Sequence, residues 1–324
     1  MQHIIGHAWA VKRLTTAIET DQLAQSHLFV GPPAIGKSAL AKAAAAALLS
    51  RNAKDPARAV QLVESLRHPD LNWLEAEGES ATRSIKVETI RELLHALSLA
   101  PVEGRHRVAV LNDAHLVTES GKNAILKTLE EPNPSVVIIL IAPSVDTVLP
   151  TISSRCQILN LRPVPVAQVS AALQARGIDA SQAEFVARLS RGRMGWALRA
   201  IQDETVLAER KERLDQLQDL LAANRTQRFA FAEKLAREDG PEIRALLDEW
   251  TLFWRDVVQQ MNANAQTAIR NSDYQSTIAR VAERSTLPAI TATLRTLAQT
   301  SRYLQQNVNA RLALDVLMLK LPMA

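Results

Sequence analysis

The sequence predicts an α/β module built on a parallel sheet with flanking helices (1–163), then a small helical unit (164–205) and an all-helical C-terminal region (206–324). Three observations carry that prediction. Short β-branched runs alternate with helical stretches up to about residue 163, PVPV at 163–166 interrupts both patterns, and no strand pattern persists beyond about residue 206.

The strand candidates, in order, are HLFV (27–30), DLNWLE (70–75), RVAVLN (107–112), VVIILIA (136–142) and QILNL (157–161), each ending at a turn or a helix start. Strand following helix in this rhythm builds a parallel sheet covered by helices. In PVPV, two prolines deny ladder donors and helix continuation, which sets a boundary. AQVSAALQARG (167–177) and SQAEFVARLSRG (181–192) then read as helices, each ending at a glycine suited to a C-cap. Further on, Leu214, Leu217 and Leu221, and later Leu294, Leu297, Leu304, Val308 and Leu312, recur at helical spacing. The alanine-rich AKAAAAALL (41–49) reads as a close-packed helix rather than a linker.

Composition excludes several classes of function. With 324 residues, 47% hydrophobic, 22% charged and only 10 glycines, the chain describes a soluble, helix-rich, well-packed protein. The longest apolar run is 136–142, far short of the ~20 residues of a membrane helix, and MQHIIGHAW shows no basic-then-apolar leader, so a cytoplasmic setting is expected. One cysteine forbids an internal disulfide and a thiolate metal cluster. The net charge of +4 is spread along the chain, as in RHR (105–107) and RGR (191–193), without a basic arm for nucleic acid.

The chemistry begins at GPPAIGKS (31–38), which has the spacing of a phosphate-binding loop, G-x-x-x-x-G-K-[ST], between a strand and a helix. Gly31 and Gly36 let backbone amides turn inward, and the helix N-terminus aims partial positive charge at the pocket. In such a loop Lys37 reaches the β- and γ-phosphates and the Ser38 hydroxyl ligates Mg²⁺. The acidic end is weaker. An aspartate at a neighbouring strand tip ordinarily holds the ion and a following glutamate polarises water, whereas RVAVL here ends in Asn112 and Asp113. Either Asn112 stands without charge in the metal position, or Asp113 takes that role and the base is missing. Binding of ATP or ADP with Mg²⁺, rather than fast turnover, is the expectation.

The residues also carry a resemblance. IIGHAWAVKRLTTAI (4–18), GPPAIGKS, HPD (68–70), IKVETIREL (85–93), NDAHLVTESGKNAILKTLEEP (112–132) and SSRC (153–156) resemble the clamp-loader branch of the AAA+ ATPases, which includes the gamma/tau and delta-prime-type subunits of bacterial DNA polymerase III. NVNARLALDVLMLKL (307–321) is similar to that family's collar helix. The resemblance implies an AAA+ module, a helical lid and a collar in a pentamer with gamma/tau and delta subunits, which opens a sliding clamp and places it on primed DNA. Arg155 of SSRC, in a loop fixed by Ile152 and Ser154, has a bland alternative, capping local carbonyls, beside a functional role; the resemblance makes it an arginine finger acting in trans on a neighbour's ATP.

Departures from the hydrolysing gamma type are several. Asn112 and Asp113 replace an Asp-Glu pair, Ala142 and Pro143 stand near the first sensor position, and Gly195 stands where the lid arginine belongs, with Arg193 two residues early. These favour the subunit type with little ATPase activity of its own over a gamma-type ATPase or another AAA+ DNA-remodelling motor. The family's zinc cysteines are absent from 50–70, so zinc is not expected. Glu130 and Glu131 read as surface residues ending a helix, His115 as a packed turn residue, and Cys156 as a small apolar side chain.

Overall fold

A computed structural model describes residues 4–78, 83–238, 240–262, 269–306 and 308–322. Residues 1–3, part of the N-terminal reading, and Asn307 of the collar-like motif lie outside the described residues. The chain forms two compact units, one ending at Leu198 and the other beginning at Arg199.

The first unit opens with α1 (Ala8–Glu19), β1 (Ser26–Val30), α2 (Lys37–Ser50), α3 (Pro56–Glu64) and β2 (Leu71–Leu74). It continues through α4 (Val87–Ser98), β3 (Arg107–Leu111), α5 (Glu119–Glu130), β4 (Val136–Ala142), α6 (Pro150–Ser153) and β5 (Gln157–Asn160). All five expected strands form, and they pair in parallel in the order β2-β3-β4-β1-β5. The apolar runs are continuous because both faces are covered. Phe29, Val108, Val110, Val137, Ile139 and Ile141 face one core with α1 to α3, while Leu28, Val30, Ala109, Leu111, Ile138 and Leu140 face the other with α4 to α6. In the alanine-rich helix α2, Ala41, Ala44 and Ala45 sit in the first core, so small side chains bring that helix close to the sheet.

Two helices follow in this unit, α7 (Val166–Gln174) and α8 (Ala180–Ser190), and a third, α9 (Met194–Gln202), spans the division between the units. Gly177 closes α7 as expected: at φ 85° its amide donates to the Gln174 carbonyl at 2.9 Å and the Ile178 amide to the Leu173 carbonyl at 3.3 Å. At α8 the left-handed C-cap is Arg191, at φ 57°, one residue before the glycine. Gly192 serves a different constraint: a Cβ there would lie 2.4 Å from the Val164 carbonyl oxygen, and the Gly192 carbonyl accepts from the Val164 amide at 3.0 Å. The glycine therefore lets PVPV press onto the helical segment.

The second unit contains α10 (Thr205–Ala222), α11 (Arg225–Leu235), α12 (Gly240–Met261), α13 (Gln275–Arg284), α14 (Leu287–Gln305) and α15 (Ala310–Lys320) around Trp250, Trp254, Leu214, Leu217 and Leu314. Of the expected apolar seam, Leu297 is buried and Leu294 and Leu304 pack against this core, while Val308 and Leu312 are exposed. Val316 and Leu319 are exposed with Leu312, four and seven residues on, so one stripe of α15 faces solvent. Arg228 of α11, 3% exposed, fastens the end of the chain. Its guanidinium donates to the carbonyls of Leu220 (3.0 Å), Met318 (3.3 Å), Leu321 (2.6 Å) and Pro322 (2.9 Å).

Candidate functional site

The phosphate-binding motif is the loop from β1 to α2, at the carboxyl end of the parallel sheet, where open α/β folds place ligands. Gly36 is the left-handed N-cap of α2, at φ 116°. Lys37, 9% exposed, donates through Nζ to the carbonyls of Gly31 and, at 2.8 Å, of Pro32, which stretches the ammonium beneath the loop. Burial pushes its pKa down to about 8, opposed by the negative charge of Asp113. His7, buried, donates from Nε2 to the Ile35 carbonyl at 3.1 Å, and burial lowers its pKa, so a neutral imidazole buttresses the loop.

The register of the strands builds the other wall. Leu74 of β2 lies opposite Leu111 of β3, so Glu75 and Asn112 leave the sheet side by side. The Ser38 hydroxyl donates to Asn112 Oδ1 at 2.6 Å, and Asn112 Nδ2 donates to Glu75 Oε1 at 3.0 Å. Asp113 is turned to Arg83, whose Nη2 lies 2.8 Å from its Oδ2. Asn112, not Asp113, is therefore the residue against Ser38. The open cleft there, about 500 Å³, is lined by Gly36, Lys37, Ser38, Asn112, Asp113 and Pro143, among others. Two adjacent side-chain oxygens, on Ser38 and Asn112, suit a hard cation such as Mg²⁺, but both are neutral. Among the described residues no cluster of three or more His, Cys, Asp or Glu is arranged to hold a metal.

Ala142 and Pro143 line the cleft without a polar side chain to offer a phosphate. Gly195 donates its amide to the Ala34 carbonyl at 2.8 Å, and a Cβ on it would lie 2.9 Å from that oxygen. A larger side chain has no room at that position without a shift of the loop. Arg193 Nε donates to the Ser190 carbonyl at 3.0 Å, and its guanidinium lies 5.8 Å from the Trp196 ring.

Arg155 stands elsewhere. It precedes β5, whereas the loop follows β1, and the two strands run parallel with His27 opposite Gln157 and Val30 opposite Asn160. That register alone separates the two ends by about 10 Å at ~3.3 Å per residue. The guanidinium is about a third exposed; Nη1 donates to the Thr151 carbonyl at 2.8 Å, as the carbonyl-capping reading expected, and Nη2 lies 2.6 Å from Glu130 Oε1. Glu130 thus ends α5 as a surface residue, but as the partner of Arg155. Cys156 is half-buried, and burial pushes its thiol up to about 11, against a nucleophilic role.

Sequence reasoning missed Glu75, Arg83 and the part taken by His7. Glu75 had a legible signal: it directly follows a strand that a parallel sheet brings to the same edge as the loop.

The family described as DNA polymerase III, delta subunit, matches residues 6–165, and that described as DNA polymerase III, delta subunit, C terminal, matches residues 204–322. DNA polymerase III subunit delta' of Bacillus subtilis is 28% identical over 324 aligned residues, covering 96% of this chain and 94% of the relative. The subunit delta' of Pseudomonas aeruginosa is 35% identical over 173 residues, or 52% of each chain. Among solved structures, a DNA polymerase III gamma subunit-related protein of Thermotoga maritima aligns over 94% of this chain and 97% of its own at 17% identity, with a TM-score of 0.40.

Fold and loop together define a parallel α/β module with a phosphate-binding loop and a neutral asparagine beside its serine, followed in the chain by a helical unit. The chain belongs to the DNA polymerase III delta-subunit family, in its delta-prime branch, and is a subunit of a clamp loader.

Proposed function

We propose that this subunit holds ATP or ADP, with Mg²⁺, in the loop at 31–38, hydrolyses it hardly at all, and lends Arg155 as a finger to ATP on a neighbouring subunit. One observation carries the reading: an exposed arginine stands at the edge of the sheet opposite the chain's own phosphate-binding loop. Lys37 and Ser38 supply the phosphate and metal contacts, while Asn112, Asp113 engaged by Arg83, and the apolar sensor position leave hydrolysis poorly supported. When bound, Mg²⁺ neutralises phosphate charge.

In this reading residues 164–205 act as a lid and 206–324 as a collar that meets gamma/tau and delta subunits. The exposed stripe of Leu312, Val316 and Leu319 supports such a contact. Clamp and primed DNA are reached through the assembly, which works in the cytoplasm. Among the described residues no helix is long and apolar enough to cross a membrane.

The isolated chain tests the pocket. It is expected to bind fluorescent ADP or ATP measurably and to turn over at least ~10²-fold below the ~1 s⁻¹ at the low end of ordinary phosphoryl-transfer catalysts. Turnover near 1 s⁻¹, lost in Lys37→Ala, would instead establish a gamma-type motor.

A further inference from the structure

We propose that Glu75 is the positioning residue that makes the neutral Asn112 serviceable beside a magnesium nucleotide. It turns the amide oxygen toward Ser38 and puts a negative charge behind it. The inference rests on the reading that the loop at 31–38 holds nucleotide.

An asparagine can present either its oxygen or its nitrogen to a neighbour, and what lies on the far side decides which. Behind Asn112 lies Glu75, whose carboxylate only accepts. Asn112 Nδ2 donates to it at 3.0 Å, so Oδ1 is left facing the Ser38 hydroxyl at 2.6 Å. A flipped amide would set oxygen against carboxylate with no proton between them, whereas the Ser38 hydroxyl can donate or accept, so Glu75 is the partner that decides. Glu75 is itself steadied, since Trp73 Nε1 donates to the same Oε1 at 2.9 Å. The backbone enforces the pairing: Trp73 and Leu74 lie opposite Val110 and Leu111, and the Asn112 amide donates to the Leu74 carbonyl at 2.8 Å.

Charge acts in the same direction. Asp113 is paired with Arg83, so Glu75 is the carboxylate in hydrogen-bonded series with the metal-side oxygens. Its charge polarises the amide and makes Oδ1 a better acceptor. Glu75 is exposed, which limits the effect to the range of an outer-sphere partner, at the low end of ~10- to 100-fold in metal affinity.

The arrangement has a counterintuitive consequence. Restoring an aspartate in Asn112→Asp brings two carboxylates into contact, and the gain expected from the added charge is lost. Changing both residues, Asn112→Asp with Glu75→Gln, gives the new carboxylate a donating amide partner and frees its other oxygen for the cation.

The test titrates fluorescent ADP into the full chain in excess magnesium and again in EDTA. In the wild-type protein magnesium tightens binding by about 10-fold. In Glu75→Gln that ratio falls toward unity with the EDTA affinity unchanged, a split that simple misfolding does not produce. Asn112→Asp alone binds Mg-ADP no more tightly than wild type, and the double variant binds it about 10-fold more tightly. An unchanged magnesium ratio in Glu75→Gln, no magnesium ratio in wild type, or full gain in Asn112→Asp alone overturns the role of Glu75 and leaves the loop reading standing. No binding by wild type in either buffer overturns the loop reading and this inference with it.

Discussion

Arg155→Ala is expected to slow ATP hydrolysis at the site it serves by about 10³-fold, the low end for arginine fingers in other phosphoryl-transfer systems. In a reconstituted loader, stimulated by clamp and primed DNA, the bulk rate falls by less, because other sites continue. A guanidinium is permanently charged and forked, so it meets two phosphate oxygens as charge develops between them. Arg155→Lys is therefore expected to rescue little. Folding is not at stake: the pair with Glu130 lies between half-exposed side chains, and such surface pairs contribute about 0–1 kcal/mol. That small value also means the guanidinium releases Glu130 easily when a phosphate is offered. Melting temperature and co-purification with the other subunits should stay at wild-type values while the stimulated rate drops. An unchanged rate removes the finger.

Arg228→Ala is expected to destabilise the helical unit by on the order of 3 kcal/mol. The side chain is 3% exposed and serves four carbonyls, three of them at or beyond the end of α15. Burial lowers its pKa from the ordinary value, so the charge is held at a desolvation cost that the carbonyl dipoles offset. Truncation relieves that cost but strands the buried acceptors, and stranded acceptors dominate because each costs about 1–3 kcal/mol. The melting temperature of the helical unit should fall by roughly 10 °C. Arg228→Lys, with one ammonium for four acceptors in three directions, should recover less than half of the loss. A shift within 2 °C of wild type in Arg228→Ala, as roughly expected of a surface residue, would show that the end of the chain is held by other contacts.

The sheet was legible because its signal is local. Runs such as VVIILIA are buried on both faces, so composition alone separates them from the helices between. The loop was legible for the same reason, being eight consecutive residues with a mechanism. What stayed hidden lies in pairings across sequence. Glu75 meets Asn112 across 37 residues and Arg83 meets Asp113 across 30, and neither carries a periodic mark. Glu130 read correctly as a surface residue, yet its partner depended on how α5 and α6 end at the same edge. The α8 cap was misread by one residue because Gly192 answers to Val164, which no window around α8 contains. On α14 and α15 the apolar period predicts one seam, but it cannot say that Leu297 faces inward while Leu312 faces water.

The account stands or falls on whether nucleotide chemistry in this chain's own loop drives the loader. The direct measurement is stimulated ATP hydrolysis by a reconstituted loader carrying Lys37→Ala in this subunit alone, run beside Arg155→Ala. Lys37 is buried beneath the loop and is the cation any turnover there requires. A near wild-type rate for Lys37→Ala, with a clear drop for Arg155→Ala, is the predicted result. A collapsed rate for Lys37→Ala with a normal rate for Arg155→Ala would contradict it and make this subunit a motor.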